Sequence, residues 1–130
     1  MVHRIEAIRP MRDLLIRLPK LPVNLQQEID FPAADPAMLV AIAEDAEMLM
    51  GATQMGLGAI GQLLANSAVM IEDGTVSANS IEALGLLMSE MADMAHHCMG
   101  LAVHCRHETA DYSPQTHRTS NRRAINPRSA

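Results

Sequence analysis

Aromatic side chains are nearly missing from this chain. Phe31 and Tyr112 are the only two, and tryptophan is absent. A broad stacking platform for bases or sugars is thereby disfavoured. The core has to be assembled from Leu, Ile, Ala and Met, and the eleven methionines make it adaptable, because unbranched thioethers fill irregular gaps. Cysteine is scarce too. Cys98 and Cys105 stand seven positions apart, which in a helix is two turns or about 10 Å along the axis, too far for a disulfide. They read as reduced core thiols of a cytoplasmic protein. Met1 to Lys20 contains no apolar run of the length a secretory signal requires.

Charge is absent from one long stretch: no Asp, Glu, Lys or Arg occurs from Met48 to Ile71. Elsewhere charge is segregated. The net formal charge is −5, yet residues 1–20 and 113–130 are basic and the body between them is strongly acidic, with Arg106 its only cation. Basic ends on an acidic body suit contact with nucleic acid, with membrane phosphates or with the body itself. The uncharged stretch is long enough to span a bilayer. Thr53, Gln54, Gln62, Asn66 and Ser67 interrupt it, however, and no Trp or Tyr flanks it. No membrane association is expected.

What is present in quantity is helical periodicity. Ile81, Leu84, Met88, Met91, Ala95, Cys98, Ala102 and Cys105 alternate at spacings of three and four, an a/d seam. Leu87, Met94 and Leu101 widen it. Glu82, Ser89, Glu90, Asp93, His96, His97, His104 and His107 fall on the opposite face, which should border solvent. Asn79 or Ser77 can cap the start, with Glu82 placed to reach back to Asn79. An earlier helix carries Leu39, Ile42, Ala46, Leu49, Met50, Leu57, Ile60, Leu63, Leu64 and Ile71 as its main stripe. Its other faces hold Met48, Gly51, Ala52, Met55, Gly58, Ala59, Ala65 and Val69. A helix apolar on most sides is normally buried on more than one, and one neighbour cannot cover it.

The expectation is an all-α fold: a long antiparallel helical hairpin at 36–112, joined at Glu72-Asp73-Gly74, with a short N-terminal helix, forming a four-helix bundle by dimerisation. The self-association interface is assigned to Met48, Gly51, Ala52, Met55, Gly58 and Ala59, where small residues admit close approach. Residues 1–35 form a basic N-terminal segment and Pro-rich connector. Pro10 opens a short helix with the apolar stripe Met11, Leu14, Leu15 and Leu18, which Pro19 and Pro22 stop. The segment either packs on the hairpin or docks a protein partner through Arg9, Arg12, Leu14, Leu15, Arg17 and Leu18. Asp35-Pro36 is a helix start. Residues 113–130 read as a basic disordered tail.

Three motifs are weighed and set aside. Gly56-Leu57-Gly58-Ala59-Ile60-Gly61 matches GxGxxG, but it lies inside a helix without the preceding strand that dinucleotide binding needs. Met88, Met91, Met94 and Met99 could suit Cu(I), but Met88 and Met91 occupy the seam. Asp93, His96, His97, His104 and His107 have i, i+3 and i, i+4 spacings that can hold a metal. They lie on the polar face, away from Cys98 and Cys105, so no metal and no cofactor are assigned. With no convergent acid, base and nucleophile, the expected function is non-catalytic: an adaptor, regulator or inhibitor of a larger machine, acting as a homodimer on a protein partner. The alternatives are a metal-binding bundle and a nucleic-acid accessory protein using the basic arms.

Overall fold

The computed structural model describes residues 8–114. It is mostly helical, with no strand among the described residues. The tail expected at 113–130 falls almost wholly outside the described residues.

Helix α1 spans Pro10–Arg17. Proline at its first position supplies a preset φ and lacks only an N–H that has no partner there. The chain tightens into a 3-10 turn at Leu18–Lys20, since Pro19 has no N–H to continue the α-helical pattern. The connector is more structured than an extended segment. The Asn24 side chain accepts from the backbone N–H of Gln26 at 3.0 Å and of Glu28 at 2.9 Å. Val23 and Ile29 pair across this turn, and Gln27 takes a left-handed φ of 62°. Leu21 and Ala34, near the two ends of the connector, are both buried.

Helix α2, Pro36–Ala65, begins on the Asp35 cap, whose carboxylate accepts from Ala37 N–H at 3.1 Å. It stops short of the expected Ile71. The Asn66 amide donates to the Gln62 carbonyl at 3.0 Å, and the Ser67 hydroxyl donates to Leu63 at 2.6 Å. Such side chains compete with the backbone for the previous turn's carbonyls. A separate short helix, α3 (Ala68–Glu72), follows. Gly74 then takes φ 79° in the tip turn, a conformation glycine adopts without steric cost. Helix α4, Ala78–Glu108, starts on Ser77, whose hydroxyl accepts from Ser80 N–H at 3.2 Å. The Asn79–Glu82 box is not the cap.

Helices α2 and α4 pack antiparallel, and α1 lies against α2. The α4 seam faces inward as its spacing requires. Cys98, Ala102 and Cys105 are buried, while Ile81, Leu84, Met88, Met91 and Ala95 are half-buried. The core joins them to Leu39, Ile42, Ala43, Ala46 and Leu49 of α2 and to Leu14 of α1. All of this lies at one end. No residue from Gln54 to His97 is buried.

Candidate functional site

Two surface features flank the base of the hairpin, one on each side. On the α1 side lies an apolar groove of ≈ 290 Å³, with Met11, Leu14, Leu15, Leu18, Met94 and His97 among its walls. The sequence expects a partner surface on α1, and the residues divide. Leu14 is buried, Leu18 packs against the core, and the Arg17 guanidinium donates to Asp45 of α2. Met11 and Leu15 remain exposed, as do Arg9 and Arg12. Arg12 pairs with its neighbour Asp13 at 3.0 Å. Helix α1 is thus bound to the hairpin on one face and open on the other.

Asp45 is the polar residue that sequence reasoning passed over. It is 6% exposed. A carboxylate is tolerated there because Arg17 comes with α1 to meet it; an unpaired buried charge would be costly. The only local hint is that Asp45 directly precedes Ala46 on the inward stripe; its partner comes from a separate helix. Thr53 and Thr109 are also buried. Their hydroxyls donate to the carbonyls of Leu49 at 2.8 Å and Cys105 at 2.7 Å. Among the described residues no buried side-chain nitrogen or oxygen lacks a hydrogen-bond partner.

On the opposite side, Met50, Met99, Ala102 and Val103 line a slot of ≈ 310 Å³. Glu47 and Arg106 close it with two parallel bonds, Nε to Oε1 and Nη2 to Oε2, both 3.0 Å. The fork-to-fork geometry ties α2 to α4. Hydrogen bonding and charge from Arg106 hold the Glu47 carboxyl below its ordinary range, and Glu47 in turn raises Arg106.

The histidine face stays outward. Asp93, His96, His97, His104 and His107 are all exposed. His96 and His97 meet edge to face at 5.7 Å. His104 stacks on Phe31 at 5.3 Å with planes 14° apart, so it fastens the connector to α4. Among the described residues no three His, Cys, Asp or Glu side chains gather in a way that could hold a metal. Cys98 and Cys105 are free and buried. Burial raises both thiols above their ordinary value, Cys105 to about 11 against a partial opposing pull from Arg106. Neither offers a thiolate near neutral pH.

The residues assigned to self-association lie in the open. Met55 is 79% exposed, Met48, Ala52, Gly58 and Ala59 are exposed, and Gly51 is half-buried. A Cβ added at Gly51, Gly56, Gly58 or Gly61 would meet nothing within 4 Å. These glycines therefore serve no close approach within the chain. No described helix is long and apolar enough to cross a membrane.

No protein-family model matches this sequence, and neither a curated protein nor a solved structure is similar to it.

Proposed function

We propose that the protein is a non-catalytic, self-associating interaction module, an adaptor, regulator or inhibitor that works by binding another protein. One observation carries this. The outer half of the hairpin presents Met55, Leu63, Val69, Leu86 and Leu87 to solvent, each more than half exposed, and its α2 side has no charged residue from Met48 to Ile71. Large apolar side chains exposed in this number, on a hairpin half with so little charge, support a role in binding another surface. The open edge of α1, with Met11 and Leu15 beside Arg9 and Arg12, supplies a second surface suited to a partner.

Light scattering behind size exclusion tests the first half directly. A mass of two chains or more at micromolar concentration is expected. A single-chain mass across that range overturns the reading.

The rival readings draw less support. A metal-binding bundle lacks a gathered ligand set among the described residues. A nucleic-acid role for α1 is weakened because Arg12 and Arg17 already face acids of the same chain.

A further inference from the structure

We propose that two copies of this chain trade their α1 segments: the stretch from Pro10 to Leu21 of each docks on the hairpin of the other, where that hairpin's own α1 otherwise lies. This rests on the self-association reading above and names the contact that joins the copies.

The docking site has one demonstrated occupant, the chain's own amino-terminal segment. Leu14 and Leu21 are buried in the core shared with α2 and α4, and Leu18 packs against it. The Arg17 guanidinium donates to Asp45, which is 6% exposed. A second copy carries the identical segment, so its docking needs no new surface. Charge points the same way. From Ile8 to Leu21 the chain holds Arg9, Arg12, Arg17 and Lys20 against Asp13, a formal +3. From Pro22 to Tyr112 it holds Arg106 against thirteen acids. Two such bodies repel, and the basic segment of one copy is the described piece that the other attracts.

The turn between Leu21 and Phe31 decides which hairpin receives α1. None of its residues is buried. It closes on itself: the Asn24 N–H donates to Glu28 at 2.8 Å, the Gln27 N–H to Asn24 at 3.0 Å and the Asp30 N–H to Pro22 at 2.9 Å. Beyond it the chain is anchored again, by Phe31 stacked on His104 and by the buried Ala34. Two anchored parts are thus joined by a piece that holds only to itself. Straightened, residues 22–30 reach about 30 Å, enough to carry α1 to a neighbouring hairpin. The closed turn is also strained. Gln27 has φ 62°, a left-handed conformation that the Cβ of an L-residue disfavours, and opening releases it. In the exchanged pair the two connectors run side by side, where Leu25, 100% exposed, and Val23, 62% exposed, gain a neighbour. Exchange keeps every α1 contact, so its cost is the turn and the freedom of the second molecule.

Charge reversal in the full chain tests the exchange. Arg17→Asp and Asp45→Arg each set like charges together at a covered site, both in a single chain and in a pair of identical variants. Each is expected to melt well below the wild type. Unfolded together and refolded in equal amounts, the two variants complement each other only if α1 trades places. One half of the pair then unites the native Arg17 with the native Asp45, and the other half unites the two reversed charges. Light scattering of the mixture should give the mass of two chains, and its melting temperature should return towards that of the wild type. A mixture that behaves as the sum of its parts, beside a wild type of two-chain mass, overturns the exchange while self-association stands. A single-chain wild type overturns both.

Gln27→Gly tests the turn. Glycine takes φ 62° without steric cost, so the closed chain gains and circular dichroism should be unchanged. Sedimentation equilibrium should show the dimer dissociation constant raised at least about 10-fold, one strained residue being relieved in each closed chain. An unchanged or smaller constant overturns the turn as the hinge.

Discussion

The two ends of the hairpin are built from similar residues and differ in what surrounds them. At the base, α1 and the connector close over α2 and α4. Ile42, Ala43, Ala46 and Cys105 there are 0% exposed. Towards the tip only α2, α3 and α4 remain, and Leu63, Val69 and Leu86 are 68%, 73% and 65% exposed. Two helices side by side can each bury one stripe, and the seam residues Ile81, Leu84 and Met88 are covered only in part. The lesson is that a third helix, not greater hydrophobicity, turns a seam into a core. Local stability should follow. Amides of the base should exchange near the global unfolding limit and those of the tip far faster, unless a second molecule covers them. Hydrogen exchange at low and high protein concentration reads that difference.

The largest single effect should come from emptying the base. Ile42→Ala is expected to cost about 4 kcal/mol, the transfer term plus a cavity that rigid neighbours cannot fill. Leu86→Ala, of like chemistry at the tip, should cost below about 0.5 kcal/mol, because its side chain is mostly wet in the single chain. Urea denaturation of both measures the contrast. Similar losses would mean that the tip is covered in solution.

Next in size is the pair that holds α1 down. Arg17→Met leaves Asp45 buried without its cation and should cost about 3 kcal/mol. Adding Asp45→Leu to Arg17→Met should restore most of it, since a matched apolar pair removes the stranded charge. Failure of that rescue would assign the loss to the packing of the Arg17 stem rather than to charge.

The helices were legible in the sequence, and unevenly so; the difference between base and tip was not, because the apolar pattern is continuous along both helices. The α4 seam is read correctly from Ile81 to Cys105 because a seven-residue period and a charged opposite face leave one choice. The Asp35-Pro36 start is equally plain. The end of α2 was not legible: the backbone tightens at Ser67, whose N–H donates to the Leu64 carbonyl three residues back at 3.0 Å, while the apolar period runs on through it to Ile71. Asp45 was missed because periodicity sorts residues by polarity, and a buried ion pair needs a partner from a distant helix. Leu14 and Leu18 sit on the same short stripe as Met11 and Leu15, and Arg17 borders it as Arg9 and Arg12 do. Nothing local separates the side chains of α1 that turn inward from those left for a partner.

Alkaline pH probes the base alone. Burial pushes the Cys105 thiol up to about 11, so the folded state favours the neutral form. The unfolded chain ionises first, from the ordinary thiol value near 9. Stability from this group is intact below that pH and declines as pH rises towards 11, by on the order of 2 kcal/mol. Cys105→Ala should flatten that decline in a denaturation series, at the cost of a lower stability at neutral pH. An unchanged slope would mean that some other group titrates there.

The smallest expected effects sharpen the comparison most, because they differ in sign. Glu47→Gln removes a bidentate but exposed pair at the base and should cost only about 0.5 kcal/mol, since solvent screens it. The same increment should vanish on acidification. Arg106 depresses the Glu47 carboxyl, so the contribution is present above the ordinary carboxylate range and is lost as pH falls through the lowered value. Gly61→Ala, towards the tip, should instead stabilise an isolated chain by up to about 1 kcal/mol, through helix propensity and with open space for the methyl group. Where a second molecule lies against the tip, that space is filled from outside the chain. The substitution would then raise monomer stability in dilute solution while weakening association at high concentration. Thermal melts across a dilution series distinguish the two: a gain that shrinks with concentration means the glycine is kept for a neighbour, and a uniform gain means it is not.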